Sequence, residues 1–221
     1  MRRFIVTMLI ALLAAPAFAA DMPKTEEQKT LYALGMLVSS SLSVFHLTPS
    51  ELEVVKQGLT DTVTNKTPAV ELSAYNERVQ QLFMARRKAE GEKQAGMYKG
   101  FLEKAAIAKG AVRSASGLVY LSLKDGSGAT PGPTDTVKVN YRGTFPDGRE
   151  FDSSYKRGEA SELKMDGIIK CWSEGLQKMK TGGKAELVCP PEIAYGDGGV
   201  VDLILPYATL VYEVELLDVK K

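Results

Sequence analysis

The sequence predicts an α+β chain, with an all-α first half followed by an antiparallel sheet wrapped on one short helix. Three observations lead there. Apolar residues recur at helical spacing from Lys24 to about Lys109. After Ser116 the period switches to strict alternation, as in "GLVYLSL" and "DTVKVNYRGTF". The alternation is interrupted once by a helical stretch, Lys170 to Met179, which carries Trp172, Leu176 and Met179 at spacings of four and three.

The chain of 221 residues opens with "MRRFIVTMLIALLAAPAFAAD". Arg2 and Arg3 precede an apolar run from Phe4 to Ala15, and Ala17-Phe18-Ala19 has the small-residue spacing of a signal-peptidase site. Residues 1–20 therefore read as an export signal cleaved after Ala19 or Ala20, with an uncleaved anchor as the alternative. No cysteine follows the run, which argues against a lipid anchor, and no membrane span is expected after cleavage. Without Arg2 and Arg3 the 28 basic side chains become 26, against 27 acidic ones, and so near a balance argues against nucleic acid as the partner. Two cysteines are too few for a disulfide framework.

Residues 21–70 read as a helical domain. "KTEEQKTLYALGMLVSSSLSVF" sets Leu31, Leu34, Leu37, Val38, Leu42 and Phe45 at helical spacing. "TPSELEVVKQGLTDTV" starts with Thr48 as N-cap, Pro49 at the first helical position and Glu51 closing a capping box. Residues 71–112 read as one long linking helix, since Glu71 to Lys109 holds no proline and is rich in helix formers. Tyr75, Val79, Leu82 and Phe83 give it an apolar start that then thins, so a rod of about 55 Å is expected to stand in solvent as a stalk.

Residues 113–221 carry the sheet. Val137, Val139 and Tyr141 share one face of a strand, and Leu210, Tyr212, Val214 and Leu216 one face of the last. Asp147-Gly148 marks a tight hairpin. In this half "VNYRGTFPDGREFDSSYKRGE", "GIIKCWSEGLQKMKTGGKAELVCPPEIAYG" and "LPYATLVYEVELLDV" follow in order. Together they closely resemble an FKBP-type peptidyl-prolyl cis-trans isomerase domain. The export signal, the helical segment with "YALG" at Tyr32 to Gly35 and the linking helix resemble the exported Mip/FkpA-like group.

The resemblance implies a proline pocket. Tyr141, Phe151, Asp152, Ile169, Trp172, Tyr195 and Tyr212 match its catalytic positions, with Trp172 as floor, Tyr195 as a hydrogen-bonding hydroxyl and Tyr212 at the back. Ile168 matches a neighbouring apolar position, while Leu163, Leu203 and Ile204 supply apolar walls for substrate. Taken singly, Tyr141, Trp172 and Tyr212 read as ordinary core residues and Asp152 as a turn residue; their joint order carries the pocket reading. No metal or cofactor is expected, because rotating an X-Pro amide makes and breaks no bond. The resemblance also implies a homodimer formed through the N-terminal domain, an FK506-type macrolide as ligand, and a place in the periplasm or on the outer cell surface of a Gram-negative-type bacterium.

The chain departs from the family's pattern at three places. "GEASELKM" stands where relatives tend to carry Pro and Phe, "GDGGVVDLILPYATL" alters the loop bordering the pocket, and Cys171 replaces a glycine. The family fold would pack the Cys171 helix against the sheet face of Ala185, Leu187 and Cys189. A Cys171–Cys189 disulfide, two separate thiols, and a reactive Cys171 all remain open. The leading function is an isomerase acting on partly folded proteins with X-Pro bonds. The alternative is a dimeric chaperone that holds unfolded chains with weak or dispensable isomerase activity. A thiol oxidoreductase is a distant third reading.

Overall fold

The structure is a computed structural model and describes residues 22–221, so the export segment read at residues 1–20 lies outside it. The chain separates into two units, one ending at Leu42 and one running from Ser43 to Lys221. In the first, α1 spans Glu26–Leu42. Thr25 and Gln28 open it by exchanging hydrogen bonds, Gln28 N to Thr25 Oγ1 at 3.1 Å and Thr25 N to Gln28 Oε1 at 3.2 Å. Ser39 and Ser40 donate back to the carbonyls of Met36 and Leu37 near its end, the local competition that weakens a helix. None of its residues is buried, and Leu31, Leu34, Met36 and Leu37 are all exposed.

The second unit starts with a 3₁₀ turn, Ser43–Phe45, and α2, Pro49–Val63. The capping box forms as the sequence predicts: Thr48 accepts from Glu51 N at 3.3 Å, and Glu51 Oε2 accepts from Thr48 N at 2.8 Å. Asn65, at φ 56°, lets the chain leave the helix in the left-handed conformation that asparagine tolerates. A 3₁₀ turn, Leu72–Ala74, precedes α3, Asn76–Met97. Arg86 on α3 donates to Glu51 Oε1 at 2.5 Å and to the Phe45 carbonyl at 2.8 Å, and Phe83 meets Phe45 edge-on at 6.0 Å. These contacts pin α3 to the 3₁₀ turn and to the start of α2.

The linking segment differs from the single rod expected over residues 71–112. α3 stops at Met97, Gly100 turns at φ 88°, and a separate α4 runs Phe101–Ala106. A glycine at positive φ costs little and breaks the i→i−4 ladder, which is why a proline-free stretch still divides. Nor is α3 a solvated stalk. Arg87, Gly91 and Gln94 form a buried stripe at i, i+4 and i+7. Arg87 Nη2 donates to the carbonyls of Val200 and Ile204 at 3.2 and 3.1 Å. A Cβ on Gly91 would lie 2.3 Å from the Pro206 carbonyl oxygen, so only glycine fits there. Tyr98 donates to Asp147 at 2.5 Å and ties the end of α3 to the sheet.

The sheet has seven antiparallel strands: β1 (Ala111–Arg113), β2 (Val119–Lys124), β3 (Thr136–Thr144), β4 (Glu150–Ser153), β5 (Ser161–Lys164), β6 (Lys184–Cys189) and β7 (Leu210–Lys220). Their order is β1-β2-β6-β7-β3-β4, and β5 pairs with β3 beside β4. Gly148, at φ 85°, closes the β3–β4 hairpin, where its N–H donates to the Phe145 carbonyl. β4 pairs with the end of β3, a short helix α5 (Ser154–Arg157) turns the chain, and β5 pairs with the start of β3. One face of the sheet packs on α6, Lys170–Leu176, three residues shorter than the sequence stretch. Gly175 allows this packing, since a Cβ there would meet both Leu187 δ carbons at 2.7 Å. Val137, Val139, Leu176, Leu187, Leu210, Val214 and Leu216 are sealed in the core. The alternation read from the sequence is the alternation of burial along β7 and the start of β3, but not along β2, where burial fades from Val119 to an exposed Leu123.

Candidate functional site

A cavity of about 310 Å³ opens where β4 and β5 diverge along the edge of β3. Trp172, on the first turn of α6, forms its floor and is 5 % exposed. The indole stands nearly perpendicular to Tyr141 from β3, at 5.0 Å and 86°, and to Tyr212 from β7, at 5.1 Å and 89°. Its Nε1 is buried without a hydrogen-bond partner among the described residues, so ring packing orients the indole. Phe151 from β4 packs edge-on against Tyr212 at 5.6 Å. Gly143 makes room for this pair, since a Cβ there would lie 2.7 Å from Phe151 Cζ and 3.0 Å from Tyr212 Cε1.

Polar groups gather at one rim. The Tyr141 hydroxyl donates to Asp152 Oδ2, and Arg157 pairs with Asp152 Oδ1. Arg157 also reaches the Tyr141 oxygen at 2.9 Å and Ser161 Oγ at 3.1 Å. Burial raises the Tyr141 phenol above its ordinary pKa; Asp152 adds to the rise and Arg157 opposes it. Burial pushes Tyr212 well above the ordinary range, with the Tyr195 phenol beside it adding to the shift. Both tyrosines therefore stay protonated through neutral pH, with the one O–H of Tyr141 committed to Asp152. Ser154, fully buried, donates nothing to the cavity but accepts from Tyr141 N at 2.9 Å and holds α5 to β3.

All eleven residues assigned from the sequence line this one cavity. Ile168 and Ile169 lead into α6, and the Ile169 carbonyl accepts from Trp172 N and Ser173 N at 3.0 and 3.1 Å. Leu163 comes from β5, while Leu203 and Ile204 come from the altered loop and Tyr195 from the turn after β6. Gly167 lines it as well. Sequence reasoning missed Arg157, although it stands five residues past Asp152 inside a quoted block; a basic residue so soon after an acidic one was the available signal. Gly143 was missed because nothing in a sequence marks which glycines face an aromatic ring, and Gly167 because nothing marks which glycines line a cavity. Cys171 and Cys189 are joined by a disulfide, with Cα atoms 5.7 Å apart, and both are fully buried. That ties α6 to the end of β6 directly under the cavity floor and leaves no free thiol for redox chemistry among the described residues.

An antiparallel sheet curled on one short helix, with an aromatic-lined well at the helix start, defines a binding cavity for a small apolar ring. A family model described as "FKBP-type peptidyl-prolyl cis-trans isomerase" matches residues 128–217, and one described as "Domain amino terminal to FKBP-type peptidyl-prolyl isomerase" matches residues 27–121. The chain belongs to the FKBP-type peptidyl-prolyl cis-trans isomerases, and its chemistry is rotation of the bond that precedes a proline. It is 39 % identical to the isomerase FkpA of Escherichia coli strain K12, over 94 % of this chain and 82 % of that one. It is 32 % identical to the isomerase Mip of Coxiella burnetii over the full length of both. The crystal structure of FkpA from Escherichia coli matches with a TM-score of 0.67 and 38 % identity, covering 89 % of this chain and 98 % of that one. No helix among the described residues is long and apolar enough to cross a membrane.

Proposed function

We propose that the substrate proline seats its ring against Trp172, flanked by Tyr141, Phe151 and Tyr212, and that rotation of the preceding amide takes place in this well. The planar amide is stabilised by charge separation toward its oxygen, and twisting it costs about 18–20 kcal/mol in water. A cavity that excludes water favours the less polar twisted state over the planar one. The Ile169 N–H and the Tyr195 hydroxyl each hold a substrate carbonyl, fixing the chain on either side of the rotating bond. Asp152, held by Tyr141 and Arg157, orients the Tyr141 ring and is not a proton donor. Leu163, Ile168, Leu203 and Ile204 receive an apolar residue before the proline. A barrier lowered by about 7 kcal/mol corresponds to roughly 10⁵-fold acceleration.

The observation that carries this reading is the perpendicular setting of Tyr141 and Tyr212 around a buried Trp172 inside one cavity. Exchange NMR on a Leu-Pro-Phe peptide tests it. Catalysis by the mature chain should fall at least tenfold in Trp172→Ala and several-fold in Tyr195→Phe. Unchanged rates in folded variants would remove the assignment. An FK506-type macrolide is expected to compete for the same well, with affinity set by Leu163 and the 197–206 loop.

Partly folded proteins with X-Pro bonds are the substrate class. The exposed apolar side chains of α1 and α2 favour two further statements: the chain works as a homodimer through residues 21–70, and it holds unfolded segments as a chaperone. The apolar N-terminal run and a buried disulfide fit an exported protein in an oxidising compartment, the periplasm or outer cell surface.

A further inference from the structure

We infer that Arg87 on α3 is a positioning residue for the pocket, setting the wall that selects the residue before proline; this rests on the cavity being the proline site. Leu203 and Ile204 line the cavity from a five-residue hairpin, Val200–Ile204. That hairpin is slight. Val200 N donates to the Ile204 carbonyl at 2.8 Å and Ile204 N to the Val200 carbonyl at 2.9 Å, while Asp202 turns at φ 62°. It contributes no long strand to the sheet, and its tip is exposed. A loop this short has few contacts of its own to fix where its side chains point.

Arg87 supplies the missing constraint. Its Nη2 donates to both carbonyls that close the hairpin neck, those of Val200 and Ile204. The side chain is only 4 % exposed, so these charge-assisted bonds form away from competing water. One turn farther along α3, Gly91 lets the helix backbone touch Pro206, which ends the loop. The helix thus grips the loop at its neck and at its end. The neighbouring Arg86 faces the other way and holds Glu51 of α2. One turn of α3 therefore ties the pocket wall to the helical segment. The segment expected from sequence to be a bare stalk braces a wall of the substrate site from behind.

Loosening the grip should leave the aromatic well intact and blur the wall. The consequence is selective: peptides that place a large apolar side chain against Leu203 and Ile204 lose affinity, and peptides with alanine there do not. Exchange NMR on Leu-Pro, Phe-Pro and Ala-Pro peptides at several concentrations reads this in the full mature chain. Arg87→Met should raise KM for Leu-Pro and Phe-Pro about three- to tenfold, less than the roughly 10- to 200-fold that one fully lost methylene contact gives, because the wall is loosened and not removed. Ala-Pro should change by less than about twofold, and kcat should hold for all three. Arg87→Lys, which keeps one charged donor, should fall between. Gly91→Ala, which pushes Pro206 away without touching any charge, should reproduce Arg87→Met and serves if that variant does not fold. An equal loss on every peptide, or no loss in either folded variant, overturns the proposal, as does a wild-type chain indifferent to leucine against alanine. Failure of the proline-site reading looks different, because Trp172→Ala would then leave all three peptides unaffected.

Discussion

The sheet and the first two helices solve burial in opposite ways. Seven strands and α6 seal a core in which Val139, Leu187 and Val214 have no exposure at all. α1 and α2 bury none of their residues and leave Leu37 71 % and Val54 73 % exposed. Both regions are rich in apolar side chains, so composition does not separate them. Chain connectivity does: the sheet finds its complement within residues 111–220, and α1 and α2 leave their apolar side chains exposed. One region is finished and the other is left unfinished.

Mutating the unfinished region tests the contrast most severely. Leu34→Lys with Leu37→Lys on α1 should raise the dissociation constant of the dimer by at least about 100-fold, since buried anchors each contribute 2 kcal/mol or more to an interface. Sedimentation should then report the mass of one chain, with peptide isomerisation per chain unaltered. A wild-type protein already monomeric at micromolar concentration would show that the exposed helices serve another end. The finished region should respond to the disulfide instead. Opening an 18-residue separation with Cys171→Ser and Cys189→Ser should cost about 3 kcal/mol in urea unfolding followed by Trp172 fluorescence. Association through the helices should not change.

How much of this could be read beforehand follows the same divide. Strand alternation is a local property, so Val137 and Val139, or Tyr212 and Val214, announced their faces in the sequence. The Thr48–Glu51 box was legible because it is complete within four residues. The pocket residues came from the order of three long blocks, because no single one of them differs from a core residue. What stayed hidden depends on contacts distant in sequence. Arg87 lies 113 and 117 positions from the carbonyls it holds, and an arginine in a charged helix gives no sign of that. The break at Gly100 was missed because glycine inside a helical stretch is ambiguous until a tertiary contact, here Tyr98 with Asp147, decides the direction of the chain. The bond between Cys171 and Cys189 needed a distance that sequence does not contain.

Gly143→Ala sharpens the contrast from within the sheet. A methyl group there drives into Phe151 and Tyr212, and overpacking of this kind costs roughly 1–3 kcal/mol. Because the displaced rings line the cavity, catalysis should fall by a larger factor than the loss of stability alone would suggest. A variant destabilised by that amount yet fully active would mean that the ring packing supports the fold and not the chemistry.

The smallest effect expected is electrostatic, at the α2–α3 junction. The Arg86 guanidinium, with Thr48, holds the Glu51 carboxyl down at about 2 from its ordinary 4.5. A carboxyl depressed by folding contributes stability that is complete above its ordinary pKa and is lost as pH falls toward the folded value. The window is therefore pH 4.5 down to about 2. The Glu51–Arg86 pair is partly open to solvent, so the contribution is modest and should shrink with added salt. Glu51→Gln keeps the size of the side chain and removes its titration. The urea midpoint of the helical signal should be lower in the variant at pH 6, and the gap to wild type should close as pH approaches 2. No gap at pH 6 would mean that Glu51 acts through shape alone, and that the junction carrying α3 to the pocket does not depend on its charge.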